Sequence, residues 1–258
     1  MSFVNKVVLI TGAGSGIGAA TAIAFAKQSA KLSLVDIIEE ELNNTIEVCK
    51  NGSEVLKIVA DLTRDYEVKR IVSDTIKKFG KIDVLVNCAG IYFPAGILDD
   101  KLIDKFDKII AVNLRSVVAL TNNAVPALIE SKGCVINVCS ILAKFTTKQN
   151  LAYSISKAAV LHFTKCAALE LAEKGVRVNS VSPGVLKTKL QIRAGISESQ
   201  VNAGLDFVAN STPLKKLIEP QEVADVILFL SSDNARSITG SDYEVDGGLL
   251  LSGLPSNN

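Results

Sequence analysis

The chain has 258 residues, 48% apolar and 21% charged, which excludes a disordered chain and implies one large α/β core rather than two domains. Lys plus Arg number 28 against 27 Asp plus Glu, and a formal charge of +1 leaves no field for gripping nucleic acid or an acidic membrane. No apolar run approaches the roughly 20 residues of a bilayer crossing. The five cysteines are odd in number and lack C-x-x-C spacing, so neither a disulfide framework nor a zinc site is expected, and a reducing compartment, the cytoplasm, fits best. A strand-like run begins so early that no signal peptide is expected.

Val7 to Ile10 is a continuous apolar run, as in a strand buried on both faces of a parallel sheet. A glycine-rich stretch over 12–18 follows, then an Ala-rich helix to about Gln28. Leu32 to Val35 forms the next strand, closed by Asp36, before a helix over 38–50 and a third strand over 55–59. Val68, Ile71, Val72, Ile76 and Phe79 share one face of a helix. Ile82 to Val86 reads as a fourth strand and leads into Asn87, Cys88, Ala89 and Gly90. A long helix over about 100–131, a strand over 135–138, a helix over about 152–173 and a strand over 176–181 ending at Pro183-Gly184 come next. A helix over 219–231 and a short strand near Tyr243 finish the chain. Strands alternate with helices throughout, which predicts a doubly wound Rossmann-type parallel sheet of about seven strands with helices on both faces. The polar stretch at about 187–215, with Gly195, Gly204, Asn210 and Pro213, lacks clear periodicity and reads as a mobile lid or an ordinary surface insertion.

Three constellations carry chemistry. Gly12, Gly14, Gly16 and Gly18 stand between a strand and a helix, where missing side chains let backbone N–H groups approach a pyrophosphate at the positive helix end. Methyltransferases use similar loops. Asp36 ends the second strand, 24 residues after Gly12, where a carboxylate accepts from ribose hydroxyls and repels a 2′-phosphate. Asp61 ends the third strand and suits either an adenine amino contact or a helix-capping turn. Tyr153 and Lys157 lie one turn apart on one helix face, and a neighbouring ammonium favours a phenolate able to act as base. Ser140, at the end of the fifth strand, can meet the same substrate oxygen.

Thr11 to Gly18 in T-G-x-x-x-G-x-G spacing, Asn87 to Gly90, Asn113, Ser140, Tyr153 to Lys157 and Pro183-Gly184 occur in one order. In this the chain resembles the single-domain short-chain dehydrogenases/reductases over nearly its whole length. It departs in one place, where Cys88 replaces the second Asn of N-N-A-G, which puts local packing in question rather than the chemistry. The resemblance implies a catalytic set of Ser140, Tyr153, Lys157 and Asn113, the last at a helix distortion holding a proton-relay water, with Lys157 also holding the nicotinamide ribose. It implies cofactor contacts from Gly12, Ser15, Gly16, Ile17, Gly18, Asp36, Asp61, Leu62, Asn87, Ala89, Gly90, Tyr153, Lys157, Leu186 and Thr188, and no metal. Asp36, with Ser15 and Ile37 where phosphate-binding relatives carry basic residues, predicts NAD rather than NADP.

His162 is expected to be a packed helix residue and Cys139 an inert strand thiol. Tyr92 and Phe93 line a substrate pocket or pack in the core. Apolar Ile91 to Pro94, Leu142, Phe145, Val185, Leu186 and Leu190 suggest a lipophilic alcohol or ketone of steroid, isoprenoid or hydroxyacyl type. The expected function is therefore an NAD-dependent oxidoreductase acting on a small molecule. A catalytically silent dinucleotide-binding sensor or scaffold is the alternative, disfavoured by the intact proton-handling set, and a methyltransferase would not need Tyr153 and Lys157. Helix 152–173 is apolar on more than one face and family members pair the corresponding helices, so a homo-oligomer, tetramer or dimer, is expected.

Overall fold

The computed structural model describes residues 2–252. Seven parallel strands form one sheet: β1 (Val7–Thr11), β2 (Lys31–Asp36), β3 (Val55–Val59), β4 (Val84–Asn87), β5 (Cys134–Val138), β6 (Arg177–Pro183) and β7 (Asp242–Val245). Their order is β3-β2-β1-β4-β5-β6-β7, the doubly wound arrangement expected from the alternating pattern. The register places Ile10 of β1 between Leu34 of β2 and Val86 of β4.

The strands are apolar in unbroken runs because both faces are covered, and alternate residues serve opposite faces. Val8, Ile10, Leu32, Leu34, Val86 and Ile136 pack on one face with Phe25 of α1 (Gly16–Ala26), Leu42 of α2 (Glu39–Cys49) and residues from 223 to 230. Leu9, Val35, Leu85 and Val135 turn to the other face, against Ile71 of α3 (Asp65–Phe79) and Leu120 and Leu128 further along.

The long helix expected over 100–131 is α4 (Leu102–Ile110) and α5 (Ser116–Ser131), joined by a π-helical segment, Ala111–Arg115. The extra residue per turn rotates one position inward, and that position is Asn113, with no exposed surface. Helix α6 (Leu151–Leu171) carries Tyr153 and Lys157. The stretch at 187–215 contains α7 (Leu190–Arg193) and α8 (Glu198–Ser211), and α9 (Pro220–Ser231) and α10 (Leu249–Ser252) follow. No helix among the described residues is long and apolar enough to cross a membrane.

A chain of polar side chains crosses the apolar middle. The Asn87 amide donates to Thr121 Oγ1 at 3.1 Å and to Asn137 Oδ1 at 2.9 Å, and Asn137 Nδ2 donates to Thr164 Oγ1 at 2.9 Å. These bonds tie β4 and β5 to α5 and α6, and each partner is buried. A buried amide without its acceptor is costly, so Thr164→Val, nearly isosteric, should lower unfolding free energy by about 1–3 kcal/mol. Urea unfolding of wild type and variant measures this; an unchanged midpoint would show that the network contributes nothing.

Candidate functional site

Strand order reverses between β1 and β4, and the loops leaving these strands diverge to opposite faces of the sheet. A cavity of about 530 Å³ opens at the carboxyl ends of the strands, running from the glycine loop and Asp36 to Ser140, Tyr153 and Lys157.

At one end Gly12 holds a backbone with φ of 67°, and a Cβ there would stand 2.9 Å from the Ala89 backbone. A Cβ at Gly18 would lie 2.0 Å from the Gly12 carbonyl oxygen, so no side chain fits at the opening of α1. The result is a cradle of bare backbone at a helix N-terminus, next to a carboxylate. Asp36 is 8% exposed, and its carboxylate accepts from the N–H groups of Gly14 and Ile38, each at 2.9 Å. Asp61 lines the cavity and also makes the turn considered for it: Thr63 donates to it through both hydroxyl and N–H, holding its carboxyl below the usual range. These features fit a dinucleotide, with the diphosphate on the glycine loop and a ribose at Asp36.

Thr11, at the end of β1, fastens the loop after β4. Its hydroxyl oxygen accepts from the N–H groups of Cys88 at 3.1 Å and Ala89 at 3.2 Å. Cys88, the departure from the family pattern, packs against the core beneath the cavity, and burial pushes its thiol up to about 12. Burial pushes Cys139 to about 12 as well, which leaves both thiols unreactive near neutrality.

At the other end Lys157, 5% exposed, donates from Nζ to the Val138 carbonyl at 2.8 Å, and its Nζ lies 5.7 Å from the centre of the Tyr153 ring. Ser140 continues β5 in extended backbone, and its Oγ accepts from Leu142 N–H at 3.2 Å. Asn113 braces the floor. Its Oδ1 accepts from Ile91 N–H at 2.8 Å, and its Nδ2 donates to the Ile91 carbonyl at 2.9 Å and to Ser156 Oγ at 3.2 Å. Tyr92 meets Tyr153 edge to face, with centroids 5.5 Å apart, and burial, then the neighbouring Tyr153, pushes its phenol up.

The family model described as enoyl-(acyl carrier protein) reductase matches residues 12–250. The chain belongs to the short-chain dehydrogenase/reductase family. It is 38% identical to an uncharacterized oxidoreductase of Thermotoga maritima, over 96% of this chain and 98% of that one. It is 35% identical to a cyclohexanol dehydrogenase of an Acinetobacter strain, over 95% of each chain. A short-chain dehydrogenase/reductase of unknown function from Caenorhabditis elegans, solved with cofactor, superposes with a TM-score of 0.92 at 37% identity, covering 96% of each chain. This protein is an oxidoreductase whose fold implies a nicotinamide dinucleotide, NAD or NADP.

Most residues expected at the site of this dehydrogenase/reductase line this one cavity together: Gly12, Ser15, Gly16, Ile17, Gly18, Asp36, Asp61, Leu62, Ala89, Gly90, Ser140, Tyr153, Lys157, Leu186 and Thr188. Tyr92 and Phe93 line it too, which answers the choice between pocket and core. Asn113 lies beneath it. Asn87, expected as a cofactor contact, does not line the cavity with its side chain, whose amide is engaged in the polar chain within the sheet. His162 requires a correction, being exposed on α6 rather than packed.

The stretch at 187–215 is folded as two helices, not an irregular loop. Val201, Leu205 and Val208 form the buried face of α8, and a Ser197–Gln200 capping box starts it. The Thr188 side chain lies over Gly16, so that a Cβ there would come within 3.3 Å of its methyl. From α7, Arg193 donates to Ser15 Oγ at 3.1 Å and to Glu41 of α2, and Lys189 reaches Glu41 at 3.0 Å. Sequence reasoning passed over Thr11, Asn137, Glu41, Lys189 and Arg193. Only Thr11 carried a signal, as the first residue of the glycine motif.

Proposed function

We propose that this protein transfers a hydride between NAD and a lipophilic secondary alcohol or ketone. The convergence of Ser140, Tyr153 and Lys157 at one end of a cavity whose other end carries Asp36 and the glycine loop is the observation that carries this reading. The bound cofactor supplies or accepts the hydride; the chain's residues handle the proton and the substrate oxygen. In the oxidation direction Tyr153 takes the hydroxyl proton, with the buried Lys157 ammonium beside its ring. Ser140 donates a hydrogen bond to the substrate oxygen and opposes its build-up of charge in the transition state. Asn113 holds the π segment and the Ile91 backbone under this centre, where the proton leaves by way of Lys157 and water.

At the reactive end Tyr92, Phe93, Leu142, Phe145, Val185, Leu190 and Ile196 line the cavity, and none is charged. Such a wall favours a neutral ring or chain over a carboxylate or phosphate ester. The similarity to a cyclohexanol dehydrogenase supports the same class. A hydroxyl, a phenol and an ammonium suit an oxygen-bearing carbon, so a carbonyl is preferred over the double bond named by the family model's description.

NAD is preferred over NADP because a buried carboxylate beside the glycine loop, Asp36, would repel a 2′-phosphate, and the neighbouring Ile37 and Ser15 offer no cation of their own. A homo-oligomer, tetramer or dimer, follows from the outer face of α6. Ile155 is 46% and Leu169 81% exposed there, with Val118 of α5 at 39%, an apolar surface that a lone subunit leaves in water.

Tyr153→Phe should abolish turnover, keeping less than about a tenth of wild-type kcat, while cofactor affinity stays within a few fold by calorimetry; a variant above that level would overturn the role of Tyr153. Wild type should show kcat/KM at least about a hundredfold higher with NAD than with NADP, and Asp36→Ala with Ile37→Arg should shift the preference toward NADP. Equal values for the wild type would defeat the assignment of Asp36. Sedimentation at micromolar concentration should give a dimer or tetramer, and a monomer would refute the assembly.

A further inference from the structure

Among the described residues, the only cationic side chains lining the cavity besides Lys157 are Lys189 and Arg193, at the two ends of α7. They converge on one acceptor. The Glu41 carboxylate receives Lys189 at 3.0 Å through one oxygen and Arg193 through the other. Glu41 sits against the glycine loop: a Cβ on Gly14 would lie 3.1 Å from Glu41 Cβ and 2.9 Å from Asp36 Oδ2. Ser15 comes next in the chain, and its hydroxyl accepts from Arg193 at 3.1 Å. Two cations are therefore parked within a side chain's length of the carboxylate that would take the ribose hydroxyls.

We propose that Glu41 is a specificity-determining residue for the cofactor, holding Lys189 and Arg193 on itself and so withholding them from a 2′-phosphate. The proposal rests on the reading that Asp36 selects NAD, and it addresses a route by which that selection could fail. Repulsion by one carboxylate is readily offset by a guanidinium and an ammonium that swing to a phosphate, since both side chains are long and Arg suits a phosphate fork. Glu41 has the means to prevent this. Its side chain is only 17% exposed, whereas those of Lys189 and Arg193 are 60% and 38% exposed, so the fixed member of the cluster is the anion. Burial pushes its carboxyl up, but the bonds and charges of Arg193 and Lys189 outweigh that and hold it below the usual range, so it stays ionised near neutrality. The same pairs fasten α7 to α2 across the mouth of the cavity.

Binding of NAD+ and NADP+ by calorimetry reads this directly, since the two ligands differ only by the 2′-phosphate, and effects on the shared diphosphate cancel in the ratio of their Kd values. In Glu41→Gln the Kd ratio of NADP+ to NAD+ should fall by about tenfold or more as both cations are released. Lys189→Ala with Arg193→Ala should not lower it, and adding those two changes to Glu41→Gln should restore the wild-type ratio. Circular dichroism confirms that each variant is folded. If wild type favours NAD+ and Glu41→Gln leaves the ratio within about twofold, the withholding role is overturned while the assignment of Asp36 stands. A lowered ratio that persists in the triple variant also overturns it, because Glu41 would then act by its own charge. A wild type without preference for NAD+ overturns both readings.

Discussion

Chain connections leave β1 and β4 for opposite faces of the sheet, and the crevice between them is the constraint on which the remaining structure depends. Parallel strands end their carbonyl edges on one side, so every loop that could carry chemistry emerges there. The crevice is kept open from below by side chains that cannot be enlarged and from the side by a threonine. Gly18 admits no side chain because the Gly12 carbonyl oxygen occupies its place, and Thr11 pins the Cys88–Ala89 backbone at the facing wall. Both walls of the cradle are thus set by β1 and its exit.

The reactive end is built differently, by tying side chains to backbone rather than by omitting them. Lys157 is anchored on the Val138 carbonyl, Asn113 exchanges two bonds with Ile91, and Ser140 is held in extended backbone at the end of β5. Such groups lose little freedom when a substrate arrives, because their positions are already fixed by strands and a long helix. The Asn87–Asn137–Thr164 chain underlies the same region and ties the strands to α6. Polar burial there costs desolvation, and full pairing offsets it while fixing the helix relative to the sheet.

The strands, their order and many of the cavity-lining residues were legible in the sequence, because unbroken apolar runs, glycine spacing and the Tyr153–Lys157 offset are local patterns. What escaped was tertiary. A π segment leaves no mark in composition, and only the family resemblance pointed to a helix distortion at Asn113. Helix α8 hid behind Gly204 and Asn210, although Val201, Leu205 and Val208 gave it a buried face, with Val208 packed in one cluster with Ile141 and Leu249. Asn87 resembles a ligand contact in sequence, and nothing local showed that its amide would also find partners from two other elements, α5 and β5. Glu41 belongs to an acidic first turn of α2, where carboxylates favour the helix dipole anyway, so nothing distinguished it until α7 delivered Lys189 and Arg193.

The proposed catalytic residues and the exposed apolar stripe lie on the same two helices. Helix α5 continues directly from the π segment that holds Asn113, and α6 carries Tyr153 and Lys157 on its inner side and Ile155 and Leu169 on its outer side. A helix is close to rigid across its diameter, so force on the outer face reaches the inner one without a hinge. A partner seated on Ile155 would press within one turn of Lys157, and it would cover apolar surface at the site where the helix most needs to be immobile. Association through the exposed α6 stripe would therefore tighten the proposed reactive geometry, as association through the α1–α9 layer beneath the cofactor end would not.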